Sequence, residues 1–286
     1  MKKIAVIDVG SNSVRLMLVA DGKILYKALE ITRLGEGLAA SGALQPAAIQ
    51  RSANAVSAFY NRAKQEGAEL VRAFATAAVR SATNGGEFLS AVRALCGLEV
   101  EVISGEEEAE IGILGALGGK DGGIIDIGGA STEIIVQSHG ETVYKKSIDI
   151  GVVRLKELCN NQEEKLYTTT REKIKAFGEV PPAMMYGIGG TATTAAALAL
   201  GLTEYDSNRV HGSVISKEEL VHLSKRILGM RIEEIALLPC VAPGRADVLK
   251  GGIVLLLNIM EMLNTEQLSV SDRDNLEGYA IRKGLL

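Results

Sequence analysis

The sequence predicts an α/β protein built as two domains of similar plan. The first observation behind this is a phrase that occurs twice: "AVIDVGSNSVRLMLVADGKILYK" at 5–27 and "GIIDIGGASTEIIVQSHGETVYK" at 123–145. At a constant offset of 118, Asp8 falls on Asp126, Gly10 on Gly128, Ser13 on Ser131, Gly22 on Gly140, Tyr26 on Tyr144 and Lys27 on Lys145. The second is that helix and strand patterns alternate after each copy, the signature of α/β layers. The third is length: 286 residues is long for one core and comfortable for two.

Each copy opens with a short apolar run, "IAVID" or "GIIDI", that reads as a buried strand. An Asp-x-Gly-x-x-Ser turn follows, then a second β-rich run ("VRLMLVA", "TEIIVQ"). Gly22 and Gly140 mark polar turns before a third strand, so each copy is an antiparallel meander. Pro46 suits a first helical residue, and "PAAIQRSANAVSAFYNRAKQEG" places Ile49, Val56, Phe59 and Ala63 on one stripe. "VRAFATAAVR" reads as a strand running into a turn, and "NGGEFLSAVRALCGL" as a helix ended by Gly97. "LEVEVIS" alternates as a strand, and "GEEEAEIGILGALGG" starts a helix.

The glycine-rich "GGKDGG" at 118–123 is the clearest linker, which sets domains of 1–118 and 119–286, with the terminal helix 273–286 a candidate to pack back on the first. In the second half, helices are expected from Gly151, around 169–177, at "TATTAAALALG", at 216–229 and at 243–263. Strands are expected at "AMMYGIGG" and "QLSVSD". Ser216 and Glu219 form a capping-box pattern.

Composition excludes several classes. No apolar run reaches the ~20 residues a bilayer span needs, and Asp8 breaks the N-terminal apolar stretch too early for a signal peptide. A net charge of −4 argues against broad nucleic-acid binding, so an anionic substrate would need locally placed donors. Cys96, Cys159 and Cys240 lack metal-ligand spacing and fit reduced cytoplasmic thiols.

The chemistry concentrates in glycine turns. "DVGSNS" offers Ser11, Asn12 and Ser13, and "DIGGAST" offers Gly128, Gly129, Ser131 and Thr132, small residues that admit a phosphate to backbone N–H groups. The Asp8 and Asp126 carboxylates would repel such an anion unless a hard cation intervenes, and Mg²⁺ is the natural choice. A third turn, "YGIGGTATT", brings Gly189, Gly190 and Thr191 to a helix start. Each turn alone has a structural reading as a hairpin or strand–helix corner; the matched pair argues for function.

Read together, "DVGSNSVRL", "ATAAVRSATN", "VISGEEEAE", "IDIGGASTE", "GIGGTATT", "VHG", "GRADVLKGG" and "VSDRDNLEG" resemble the exopolyphosphatase / guanosine pentaphosphate phosphohydrolase family, in order from residue 4 to about 280. The resemblance implies the short two-domain form: two ribonuclease H-like (actin-like ATPase) domains facing each other across a cleft. It implies Mg²⁺-dependent, processive removal of terminal phosphate from inorganic polyphosphate, or the same chemistry on guanosine pentaphosphate. It also implies a cytoplasmic homodimer.

By resemblance, Glu108 activates water, while Asp126 and Glu133 surround the metal. Asp8 joins them by symmetry of the repeat. Arg15, Arg80 and Arg245 are implied phosphate ligands, their planar forks matching phosphate oxygens. At the position where copy one has Arg15, copy two has Glu133, so the copies would divide the labour between gripping phosphate and serving metal. His211 is read as structural. Glu106 and Glu107 are covered by their interaction with a helix dipole. Two departures stand out: Ala130 where the family often has glycine, and Glu110 where it commonly has arginine. The alternative of another class is an actin-like nucleotide-binding protein with slow turnover; the Glu108, Asp126 and Glu133 set argues against it.

Overall fold

The computed structural model describes residues 2–286 and divides into two compact units, one of residues up to Ile111 with Asn275–Leu286, the other Gly112–Asp274. The break therefore falls inside a helix, not in the glycine linker at 118–123, and the C-terminal helix Asn275–Arg282 is part of the first unit.

The first unit contains β1 (Lys3–Val9), β2 (Ser13–Ala20) and β3 (Lys23–Ile31), then α1 (Leu38–Ser41), α2 (Pro46–Gln65) and β4 (Ala68–Ala75). After these come α3 (Ala77–Ser81), α4 (Gly85–Cys96), β5 (Val100–Val102) and α5 (Gly105–Leu117), whose second half lies beyond the break. The sheet order is β3-β2-β1-β4-β5, with the meander antiparallel and β4 and β5 joined in parallel. Strand alternation sends Ala5, Ile7, Val9, Leu16 and Leu18 to one face, against Ile49, Val56 and Phe59 of α2 and Phe88 of α4. Val6, Met17 and Phe74 cover the other face with Ile103, Ile111, Leu276 and Tyr279. Both faces are buried, which is why these strands read as continuous apolar runs. Asp8, two residues after Val6, shares the face covered by α5 and the terminal helix. Pro46 stands in the first turn of α2, and Gly97 closes α4 in the left-handed conformation.

The second unit contains β6 (Gly122–Ile127), β7 (Thr132–Ser138), β8 (Glu141–Ile148), α6 (Val152–Cys159), α7 (Glu163–Ile174), β9 (Met185–Ile188), α8 (Gly189–Ala199) and α9 (Ser207–Val210). It continues with β10 (Val214–Ser216), α10 (Lys217–Gly229), α11 (Ile232–Ala236), α12 (Ala246–Met262) and β11 (Gln267–Val270). Its sheet order is β10-β11-β9-β6-β7-β8, the first unit's plan with one added antiparallel edge strand. The duplication extends to backbone detail. Gly10 N–H donates to Ser13 O at 2.9 Å and Gly128 N–H to Ser131 O at 3.0 Å. A register shift falls between Leu18 and Val19 in one copy and at the equivalent Val136 and Gln137 in the other.

The expected capping box forms between Ser216 and Glu219. Of the helices expected from the sequence, α7 shifts most: it begins at Glu163, not near 169, because Leu166, Thr170 and Ile174 are buried at i, i+4, i+8 spacing. Packing of that stripe overrides the weak helix propensity of the "TTT" run.

Candidate active site

In the first unit, Asp8, next to last in β1, lies directly opposite Arg15 on β2. Arg15 Nε donates to Asp8 Oδ2 at 3.0 Å, and its Nη2 donates to the same oxygen. Asp8 is buried, so a cation opposite it offsets the cost of holding a carboxylate out of water. The turn between these strands is braced from below: Ser11 O accepts from Gly35 N at 2.8 Å, and Asn12 O from Thr32 N and Arg33 N at 3.1 and 2.9 Å. Ser11 and Asn12 are buried, Asn12 Oδ1 has no hydrogen-bond partner, and Ser13 enters β2.

Arg80 lies on α3, immediately after β4. Its Nη1 donates to Ile103 O at 2.9 Å and to Glu108 Oε2 at 3.0 Å. Glu108 sits in the first turn of α5 with its side chain 11% exposed. Burial pushes its carboxyl above the ordinary glutamate range; Arg80's charge and hydrogen bond oppose this, the Asp8 carboxylate adds to it, and a Thr76 hydrogen bond opposes it again. Thr76, buried at the junction of β4 and α3, escaped the sequence reading. Its signal was available in "ATAAVRSATN", a small hydroxyl at a strand–helix corner. Glu107, read from the sequence only as a helix-dipole partner, caps the helix: Ser104 N–H donates to its carboxylate at 3.0 Å and its own N–H donates to Ser104 Oγ at 3.1 Å. The Glu110 departure finds a cation nearby, Arg282 Nη1 at 3.2 Å.

In the second unit, Asp126 and Glu133 face each other in register across β6 and β7, the positions Asp8 and Arg15 hold in the other copy. Glu133 is buried and accepts from Ser147 Oγ at 2.6 Å. The turn between these strands rests on the N-terminus of α6: Val152 N donates to Gly128 O at 3.0 Å and Val153 N to Gly129 O at 2.9 Å. Gly151 permits that approach, since a Cβ there would lie 2.5 Å from Gly128 O. Gly128's own N–H is engaged with Ser131 O, so it shapes the turn and donates nothing outward. Ser131 is buried beside it.

The Thr132 hydroxyl is fully buried and donates to Ile150 O, which braces the turn. Ala130 is buried without a left-handed backbone, so its methyl group is accommodated.

Gly189 and Gly190 open α8, and both are required by what lies over them. A Cβ on Gly189, whose φ is +73°, would stand 2.8 Å from Asp126 Oδ1; one on Gly190 would lie 1.6 Å from Arg245 Nη1. The third glycine turn thus joins Asp126 and Arg245 in one place. Thr191 is buried and packs toward Gly252 of α12. His211 is exposed, with its Nδ1 3.5 Å from Ser271 Oγ.

Among the described residues no three or more His, Cys, Asp or Glu side chains form a metal cluster. Mg²⁺ does not need one, because it binds through one or two carboxylates and completes its shell with water and substrate phosphates. The facing Asp126 and Glu133, with the space the missing Gly189 Cβ leaves beside Asp126 Oδ1, fit that pattern. Asp8 fits it less directly, since Arg15 already occupies one of its oxygens.

The repeated sheets, the paired turns and the comparisons with known proteins together define a class, an α/β phosphoanhydride hydrolase of two similar units. More particularly, the chain belongs to the Ppx/GppA phosphatase family, whose model matches residues 6–286. It is 35% identical over 314 residues to exopolyphosphatase 2 of Mycobacterium tuberculosis, covering 98% of each chain. It is 32% identical over 305 residues to a guanosine-5'-triphosphate,3'-diphosphate pyrophosphatase of Vibrio cholerae, covering 99% of this chain and 58% of that one. The solved Aquifex aeolicus PPX-GPPA enzyme superposes with a TM-score of 0.78 at 30% identity, covering 98% of this chain and 99% of that one. No helix among the described residues is long and apolar enough to cross a membrane.

Proposed function

We propose that this chain is a Mg²⁺-dependent phosphohydrolase that removes successive terminal phosphates from inorganic polyphosphate. The observation that carries the reading is Glu108, a buried carboxyl with a raised pKa, held at one oxygen by Arg80. A carboxylate poised above the usual range is a stronger base near neutral pH, which water activation requires. Glu108 accepts the proton of the attacking water as the new P–O bond forms; the bridging P–O bond breaks, releasing orthophosphate and a chain shorter by one unit. Arg80 keeps Glu108 ionised and aimed. Arg245 over Gly190, with the N-terminal amides of α8, binds phosphate oxygens. Asp126 and Glu133 would hold Mg²⁺, which when bound neutralises charge on the phosphate oxygens.

Agreement over the whole length of both chains with a mycobacterial exopolyphosphatase favours polyphosphate. The Vibrio match supports guanosine pentaphosphate as the second reading. Phosphate release from defined-length polyphosphates and from guanosine pentaphosphate, each with and without Mg²⁺, tests both. The expected result is Mg²⁺-dependent release with the higher kcat/KM on polyphosphate. A higher kcat/KM on the pentaphosphate reverses the order, and release from neither refutes the reading.

A further inference from the structure

Glu108 is bonded to Arg80, and its neighbours Glu107 and Glu110 on the same helix turn are held by a second arginine. Glu107 and Glu110, three residues apart on α5, share a helix face. One guanidinium holds both: Arg282 Nη2 donates to Glu107 Oε1 at 3.3 Å, and its Nη1 lies 3.2 Å from Glu110 Oε2. Glu107 uses its other oxygen to cap the helix at Ser104 N. Arg282 therefore links the N-cap of α5 to the position one turn on, and Glu108 lies between the two points it grips.

Its own support is firm. The terminal helix crosses α5 so closely that a Cβ on Gly278 would lie 1.6 Å from Ile111 O. Tyr279 stacks on Phe74 at 4.5 Å between centroids and donates to Glu101 Oε2 at 2.7 Å. Glu277, buried, pairs with Lys27 of β3.

We propose that Arg282 is a positioning residue for Glu108: it fixes the rotation of the first turn of α5, so that the Glu108 carboxyl stays on Arg80. The inference rests on Glu108 being the base. The Arg282 pairs are partly exposed, with side chains 37%, 38% and 56% accessible for Arg282, Glu107 and Glu110. Exposed pairs of this kind add little to global stability. Their effect is geometric, and displacement of a reacting group by about 1 Å costs up to ~10²-fold in rate.

The test compares R282M, R282E and the exchange E110R/R282E in the full chain, by steady-state kinetics on polyphosphate with Mg²⁺ and by hydrogen exchange over 104–111. R282E is expected to lower kcat about tenfold with KM nearly unchanged, and to speed exchange in 104–111. R282M should fall between it and wild type, and the exchange variant should recover most of the loss. Unchanged exchange and kcat in R282E would overturn the proposal, as would a kcat loss in R282E that the exchange variant fails to recover. Failure of the base assignment shows separately, as wild-type turnover in E108Q whatever Arg282 does.

Discussion

Glu108 and Arg80 form a pair in which the cation opposes the effect of burial on the carboxyl. Burial raises the Glu108 pKa, and Arg80 is the largest opposing influence. Removing Arg80 lets the carboxyl rise further, and a base works only when ionised. The acid limb of kcat in R80M should therefore move to higher pH, read from a pH–rate profile. The same shift has a consequence for stability. A folded carboxyl with a raised pKa binds more protons than the unfolded one, so the stability it contributes is present at low pH. That contribution is lost as pH rises through the folded value. Wild type should lose melting temperature relative to E108Q across that interval, measured by thermal melts from below the ordinary glutamate range to neutral pH. Sequence could single out Glu108 only through its family motif, because three consecutive glutamates at a helix start look alike. Which one is buried depends on how α5 lies against β4 and the terminal helix. Thr76 was missed for the same reason: its role comes from a neighbour 32 positions away.

At the scale of elements, glycine turns do the positioning, and neighbouring helices decide which of their atoms face outward. α6 takes up the carbonyls of Gly128 and Gly129 from behind, and Thr132 braces the turn through Ile150 O. T132V should cost about 1–3 kcal/mol by urea unfolding, from the buried carbonyl left unmet, with KM for polyphosphate near wild type. G190A should behave oppositely: its new methyl group displaces Arg245, so kcat/KM falls on the order of tenfold with unfolding little changed. Both meanders were legible because their first two strands, buried on both faces, are largely apolar and the turns that follow carry glycines. The start of α7 was missed because the weakly helix-forming threonines at 168–170 separate its first turn from the rest. The short helices α9 and α11 have too few residues for any period to show.

Over the whole molecule, one backbone design occurs twice. The copies keep the same strand register, the same turn hydrogen bond and the same bulge, while the residue opposite the strand-end aspartate changes from Arg15 to Glu133. Equivalent substitutions should therefore fail differently: R15M should raise KM for polyphosphate, and E133Q should raise the Mg²⁺ concentration needed for half-maximal rate, both read from matched titrations. The duplication was visible in the sequence as a constant offset. The place where the units part was not, because Ile111 and Gly112 lie in one unbroken helix while the glycine linker lies past its end.

The central claim is that a buried carboxylate on α5 drives hydrolysis of a terminal phosphoanhydride. It is tested most directly by Mg²⁺-dependent phosphate release from polyphosphate in E108Q, which keeps the side-chain shape and removes the charge. Turnover in E108Q is expected to fall at least ~10²-fold below wild type with substrate binding retained. Turnover matching wild type in a folded E108Q protein would contradict it.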